Sequence, residues 1–258
     1  MQYLISAGAE VDAQAGAFDS TPLYEAAGYN PNVEVLQYLI SAGANIHSRT
    51  CCNCTPLHHA AGRNQCVEIL QCLLSAGADV DALANGHQTP LLRAVWNGNI
   101  EIMKYLIAQG ADINTKDDEG KTLLHSAAKV ERNDVVQFLI SLGLDMNTKT
   151  QKGKTPLHYA VGWNPEIDVL KYLISLGADV HAKDDAGKTP LDYVDHGEFV
   201  RKGGVKGPMY SDDFDMIMAS EEKIASMSAG AEEKKRILRE AMARKVDLRN
   251  DKTSVPPS

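Results

Sequence analysis

Residues 55–62 read TPLHHAAG, and closely related stretches return at a nearly constant interval along the 258-residue chain. The triplet TPL, or TLL in one case, recurs with steps of 34, 34, 33, 33 and 34 residues, starting at Thr21, Thr55, Thr89, Thr122, Thr155 and Thr189. A second marker, YLISAGA and its variants, recurs with steps of 35, 34, 33, 33 and 34 residues, starting at Tyr3, Tyr38, Cys72, Tyr105, Phe138 and Tyr172. Two markers that share one period predict a repeat architecture.

Each repeat is predicted to be a pair of helices joined by a short loop. The threonine that opens TPL suits a helix N-cap, and proline suits the first helical position because its missing N–H would have no partner there. The second helix, as in VEVLQYLISAG, has apolar residues at three- and four-residue spacing. The glycine that closes it suits a left-handed C′ position. A hairpin such as ADINTKDDEGK at residues 111–121 then leads to the next repeat.

One hairpin position provides a check on this alignment. The residue two before each repeat threonine is expected to have a positive φ, and three of the repeats have glycine there. The other three have Asp19, Asn53 and His87, which are the non-glycine residue types that best tolerate that region.

With these features the chain resembles the ankyrin repeat, whose signature T-P-L-H-x-A returns about every 33 residues. The resemblance covers residues 1 to about 194. It implies an all-α solenoid of stacked helix–turn–helix units with projecting β-hairpin tips, followed here by C-terminal helices. It also implies a non-enzymatic scaffold that binds a partner protein through the concave surface of the array.

The ends of the chain are less regular. We interpret residues 1–20 as a partial N-terminal repeat with a second helix and hairpin only, and residues 21–194 as ankyrin repeats. Residues 195–230 are interpreted as an insertion with a loop and a helix, 231–246 as a C-terminal capping helix and 247–258 as a disordered tail. For the amphipathic segment 232–246 the alternative is a separate helical tail. Met1 falls inside a second helix, which favours a start within a longer array, a face covered by a neighbour, or a fragment of a larger effector or enzyme.

The charge distribution limits the class of partner. The net charge is −8, and residues 1–194 carry 14 Lys and Arg against 22 Asp and Glu. An acidic array is a poor match for a phosphate backbone, so we expect no nucleic-acid partner. Acidic hairpin tips favour a basic protein partner. No apolar run approaches the roughly 20 residues of a membrane span, and the N-terminal residues show no secretory signal. We therefore expect a cytoplasmic monomer that binds another protein.

The cysteines suggest an alternative function. All five lie within 22 residues, and the odd number favours reduced thiols over a disulfide framework. Cys51, Cys52 and Cys54 fall on one hairpin tip, where His47 or His87 could supply a fourth metal ligand. The C-C-x-C spacing lacks the paired C-x₂-C of common structural zinc sites. A metal- or redox-responsive module is thus the alternative to a protein-binding scaffold.

No catalytic motif is evident in the sequence. G-x-S-x-G, H-E-x-x-H and a phosphate-binding glycine loop after a strand are all absent. His58, His125 and His158 share one register position, so we expect them to hold the adjoining turn by hydrogen bonds. We expect no enzyme activity, no cofactor and no metal site.

The last residues of the first helices form a candidate contact surface. The eighth residue after successive repeat threonines is Tyr29, Arg63, Asn97, Val130 or Trp163, and Trp96 and Lys129 stand beside this ladder. The resemblance places the ladder on the concave side, and aromatic residues and arginine are enriched in binding hot spots. The alternative is that Tyr29 and Trp163 only pack over an inserted loop. With the hairpin tips, the predicted partner-binding residues are Tyr29, Arg63, Trp96, Lys129, Trp163, Cys51, Cys52, Cys54, Asp118, Glu119, Lys121, Lys152 and Lys154.

Overall fold

The computed structural model describes residues 8–130, 132–164, 166–194 and 230–244. The expected second helix before residue 8, the insertion up to residue 229, its expected helix at 211–227 and the expected tail at 247–258 lie outside the described residues. In those described ranges the regular secondary structure is helical, which confirms the all-α expectation. No helix there is both long and apolar enough to cross a bilayer.

The repeats alternate a first and a second helix as predicted. The first helices are α1 (Pro22–Tyr29), α3 (Pro56–Arg63), α5 (Pro90–Asn97), α7 (Leu123–Ala127) and α9 (Pro156–Gly162). The second helices are α2 (Val33–Ser41), α4 (Val67–Ser75), α6 (Ile100–Ala108), α8 (Asn133–Ser141) and α10 (Ile167–Ser175). A 3₁₀ helix at Pro190–Tyr193 begins a sixth unit, and α11 spans residues 230–244.

The chain divides into two compact units, Met1–Ala127 and Ala128–Ser258. In the first unit α1, α3, α5 and α7 pack side by side in chain order, and α2, α4 and α6 form a second row. In this unit the leucines of the TPL and TLL triplets are fully buried, as are leucines of the second helices such as Leu36 and Leu39. Each such side chain contributes about 1.5–3 kcal/mol of burial free energy, so the repeating leucines account for the two-row packing.

In the second unit α8 packs against α10, and α9 packs against both α10 and the 3₁₀ helix. The fully buried side chains include Val135, Leu139, Leu170 and Leu173 of the second helices. Helix α11 contributes Leu238, which is also fully buried.

Hairpin tips connect neighbouring repeats through their main chains. Asp19, Asn53 and His87 have φ values of 52°, 63° and 54°, which confirms the positive φ expected at this position. In the first unit the Cys51 N–H donates to the Phe18 carbonyl at 3.0 Å. The paired β-strands implied by the resemblance are reduced in the described residues to isolated bridges, such as the one between residues 15 and 20. The tips are therefore hydrogen-bonded turns.

Asparagines at the end of a first helix, or just after it, link one repeat to the next. The Asn64 amide donates to the carbonyl oxygens of Ala27 at 2.8 Å and Asn30 at 3.0 Å. Its Oδ1 accepts from the Cys66 N–H at 3.0 Å. Asn97 donates to the equivalent carbonyls of the repeat before it at 3.5 and 3.4 Å. This side chain thus satisfies carbonyls at the end of the preceding first helix, which lack helical partners.

The second unit has the same asparagine link, and a lysine makes the equivalent contacts after it. Asn164 is fully buried and donates to the carbonyls of Ala128 at 3.1 Å and Val130 at 2.8 Å. In the next position no asparagine follows. The buried Lys234 of α11 donates instead to the Val161 carbonyl at 3.1 Å and to the Asn164 carbonyl. Its ammonium therefore takes the place of the asparagine amide of a further repeat.

Candidate partner-binding surface

One surface of the repeats collects side chains from three register positions. These are the residue before each repeat threonine and the fourth and eighth residues after it. We call the residues at these positions the first-helix surface of each unit.

An aromatic group forms its first part in the first unit. The ring of His59 stacks on Tyr24 with centroids 4.2 Å apart and an interplanar angle of 15°. Tyr29 meets the same ring edge-on at 4.8 Å. The His59 Nδ1–H donates to the Tyr24 carbonyl at 2.8 Å. Burial lowers the pKa of His59, so this imidazole is held neutral between the two tyrosines.

Gly28 makes the close approach of His59 possible. A Cβ atom at residue 28 would lie 2.4 Å from the imidazole ring, which is far inside van der Waals contact. Tyr29 next to it is 64% exposed although its ring is oriented by His59. Most of the Tyr29 side chain faces solvent. This arrangement differs from the alternative in which Tyr29 only packs over the inserted loop.

Arginine and tryptophan form the next part of the surface. The Arg93 guanidinium carbon lies 5.0 Å from the centroid of the Trp96 ring, within the range of a cation–π contact. Its Nη2 lies 3.5 Å from the sulfur of Cys54. Arg63 is exposed beside them. Arg63 holds the eighth position after its repeat threonine, and Trp96 holds the seventh, where the Arg93 guanidinium lies over its ring.

The cysteine tip differs from the expectation. Cys51 is exposed and Cys52 half-buried, but Cys54 is only 6% exposed, so the prediction that Cys54 lies at the contact tip is wrong. The physical reason is that the Cys54 side chain turns inward toward the following first helix, where it meets Arg93.

The thiols of this hairpin contact one another and nearby main-chain carbonyls. In the described ranges, no group of three or more His, Cys, Asp or Glu side chains is placed to hold a metal ion. The sulfurs of Cys51 and Cys52 lie 3.9 Å apart. Burial, followed by the neighbouring Cys51 thiol, raises the pKa of Cys52, which disfavours the reactive thiolate. His87, one of the two expected fourth ligands, contacts Asp118.

The acidic tip of the fourth repeat is only partly available for contact. Asp118 and Glu119 are exposed. Lys121 is drawn back into its own hairpin, with its ammonium 3.0 Å from Glu119 and 3.8 Å from Asp117 and its side chain 18% exposed. Lys121 thus behaves like Cys54, which occupies the same register position.

In the second unit, aromatic and lysine side chains form what we call the Trp163 cluster. Trp163 follows α9 as its C-cap and stacks on Tyr159 with centroids 4.9 Å apart at 25°. Tyr193 lies 6.0 Å away on another side. The Lys154 ammonium lies 5.1 Å from the Trp163 ring and 4.7 Å from that of Tyr193. The Lys188 ammonium lies 5.8 Å from Tyr193.

Tyr193 is anchored from below by a carboxylate. Its hydroxyl donates to the buried Asp184. Burial and then this contact raise the pKa of Tyr193. Burial opposes the charge of Asp184, but hydrogen bonds from Tyr193 and from the main chain at Lys188 and Ala186 keep its pKa below the usual value. The hydrogen bond to Asp184 therefore fixes the position of the Tyr193 ring in the cluster.

Two further predicted residues occupy less regular positions. Helix α7 ends at Ala127, so Lys129 lies in the turn beyond it and is half-buried rather than at a helix end. Lys152 is exposed on its hairpin tip, where its carbonyl accepts from the Asp185 N–H at 3.1 Å.

Sequence analysis missed the fourth residue after each repeat threonine. This position varies between repeats, unlike the leucines and alanines around it, and that variation was the available signal. Its occupants are Glu25, His59, Arg93, Ser126, Tyr159 and Tyr193.

Comparison with known proteins agrees with the repeat pattern. The family model described as "Ankyrin repeats (3 copies)" matches residues 1–84, 23–117 and 91–184. None of the curated proteins matches the chain.

Proposed function

The chain belongs to the ankyrin repeat family, and on that premise we propose that it is a non-enzymatic scaffold that binds a partner protein through its first-helix surface. Ankyrin repeats are protein-interaction modules with an all-α solenoid fold. The proposal adds the surface used, the residues that carry the contact and the absence of catalysis.

The observation that carries the proposal is the set of oriented aromatic side chains on that surface. Tyr29 is held by His59 while remaining 64% exposed, and Trp163 is held by Tyr159 and is half-buried. An aromatic ring that is already oriented loses little side-chain entropy on binding. It also supplies a large apolar area. Tyrosine, tryptophan and arginine are the residue types that dominate binding hot spots.

The histidines favour a scaffold over an enzyme. The Nδ1 of His58 accepts from the Thr55 N–H at 3.2 Å, and its Nε2–H donates to the Gln88 carbonyl at 3.0 Å. His158 repeats both contacts, at 3.1 Å and 3.2 Å. Both ring nitrogens are therefore used to hold hairpins to helices, which is a structural role.

We also propose that the segment 231–246 is the C-terminal cap, so that residues 21–194 form the repeats. Support comes from two residues of α11: Lys234, which donates to the Val161 carbonyl, and Leu238, which is fully buried. A cytoplasmic monomer is part of the same proposal. It is supported by the reduced thiols and by a docked cap.

Affinity capture with the full chain tests the function. The immobilised chain is incubated with cytosol, and bound proteins are quantified by mass spectrometry. We expect at least one bound protein to be lost on Tyr29→Ala or Trp163→Ala. The same protein should be retained by Gln37→Ala and Gln71→Ala, which alter exposed residues of the second helices α2 and α4.

Thermal unfolding of each variant shows whether the fold is intact. Tyr29→Ala should melt close to the unsubstituted chain because the side chain is mostly exposed. If no captured protein distinguishes the first-helix variants from the glutamine variants, the proposed surface is wrong.

A further inference from the structure

Charge is distributed unevenly between the first-helix segments and the rest of the array. We define a first-helix segment as the residue before each repeat threonine through the eighth residue after it, within residues 1–194. These segments hold six basic and two acidic residues, whereas the remainder holds 8 basic and 20 acidic residues. The six basic residues are Arg63, Arg93, Lys121, Lys129, Lys154 and Lys188. The surface with the aromatic side chains thus opposes the sign of the whole chain.

Two acidic residues near the Trp163 cluster accept hydrogen bonds from their own surroundings. The Asp192 carboxylate accepts from the Thr189 N–H at 2.7 Å and from its hydroxyl at 2.8 Å. Asp184 is buried and accepts from the Tyr193 hydroxyl. Both carboxylates thus accept hydrogen bonds from residues of the same hairpin and of the 3₁₀ helix that follows it. The ammonium groups of Lys154 and Lys188 lie over the aromatic rings of the cluster.

We propose that the partner of the first-helix surface presents an acidic segment with an apolar side chain, which lies against the Trp163 cluster while its carboxylates meet Lys154 and Lys188. This inference rests on the proposed function and names the chemistry of the partner. It reverses the basic partner that the net charge of −8 suggests.

Local charge outweighs net charge at the distances involved. Electrostatic interactions between exposed groups are screened over about 8 Å at physiological ionic strength. The acidic hairpins and second helices of more distant repeats therefore act weakly on a group bound at the cluster. A carboxylate that meets an ammonium there forms a charge-assisted hydrogen bond, which is roughly twice as strong as a neutral one. The tryptophan ring supplies the apolar contact beside it.

Peptide binding to the full chain tests the inference. Two short fluorescent peptides alternate a charged residue with leucine or phenylalanine, one with glutamate and the other with lysine at every charged position. We expect the glutamate peptide to bind roughly tenfold more tightly by fluorescence anisotropy, a difference of about 1.4 kcal/mol. Its affinity should fall as salt is raised.

Matched lysine variants locate the site. Lys154→Gln and Lys188→Gln should each weaken binding of the glutamate peptide by about two- to fivefold, as for the loss of one exposed ion pair. Lys171→Gln removes an exposed lysine of α10 in the same unit and should leave the affinity unchanged.

Several results would overturn the inference. These are equal affinity for the two peptides, preference for the lysine peptide, no binding of either, or Lys154→Gln and Lys188→Gln affinities equal to that of Lys171→Gln. A short oligouridylate that displaces the glutamate peptide from the same lysines at lower concentration would also overturn it, in favour of single-stranded nucleic acid. Any of these results leaves the capture experiment unaffected. A captured non-acidic protein lost on Trp163→Ala would sustain the proposed function alone.

Discussion

Replacing Asn64 by alanine tests how the repeats are held together. The Asn64 side chain makes three hydrogen bonds to main-chain groups, two of them to the repeat before its own. The Ala27 carbonyl depends on this contact, because the residue four positions later is Pro31, which has no N–H to donate. Alanine at residue 64 would leave buried polar groups without a partner.

The expected cost follows from those contacts. A hydrogen bond contributes about 0.5–1.5 kcal/mol net, and a buried polar group left without a partner costs about 1–3 kcal/mol. With three groups affected, of which the Asn30 carbonyl is nearer to solvent, we expect Asn64→Ala to lower the free energy of unfolding by about 3 kcal/mol. Urea unfolding followed by circular dichroism measures it. At a slope of about 1–3 kcal/mol per molar urea, the midpoint falls by about 1–3 M.

Two other asparagines provide graded controls: Asn30, at the same loop position, and Asn97, the last residue of α5. Asn30→Ala loses one side-chain bond, in which Asn30 Oδ1 accepts from the Asn32 N–H at 2.9 Å in an exposed loop, and should cost less than about 1 kcal/mol. Asn97→Ala loses longer bonds of 3.4 and 3.5 Å and should fall between the two. If Asn30→Ala costs as much as Asn64→Ala, the inter-repeat bonds are not the source of the stability and the reasoning fails.

Three further experiments address the cap, a buried histidine and the cysteine tip. Lys234→Met keeps most of the side-chain volume but loses the hydrogen bonds to the end of α9. Proteolytic cleavage within residues 230–244 should therefore be faster in this variant, whereas cleavage within the repeats should be unchanged. Equal cleavage rates within 230–244 in the variant and the unsubstituted chain would contradict the cap. Burial lowers the pKa of His58 from 6.5 to about 4, and its Nδ1 must stay unprotonated to accept from Thr55. Between these two pKa values the imidazole of residue 58 is protonated in the unfolded chain but not in the folded one. The contribution of His58 to the free energy of unfolding therefore changes little above pH 6.5 and falls by about 2 kcal/mol by pH 5. The urea midpoint should accordingly fall less between neutral pH and pH 5 in His58→Gln. Iodoacetamide should alkylate Cys51 well before the buried Cys54, and equal rates by mass spectrometry would contradict the inward orientation of Cys54.

Features set by local interactions were predictable from the sequence alone. The helix starts follow from threonine and proline at fixed offsets, because capping involves only groups three or four residues apart. The positive φ of Asn53 follows from steric limits on a single residue. The buried leucines follow from the period, since each repeat presents the same face to its neighbours. The family and the two-helix unit are accordingly written in the sequence.

The character of the surface was decided by the tertiary structure. Cys54 is buried because Arg93 of the following repeat meets its sulfur, and no local pattern encodes that contact. His59 and Tyr29 interact across repeats in the same way. Lys234 lies 70 residues beyond Asn164 in the chain, yet it replaces an asparagine amide at the end of the stack. Periodicity specifies which repeats are neighbours, whereas the direction of each varied side chain depends on what the adjacent repeat places opposite it.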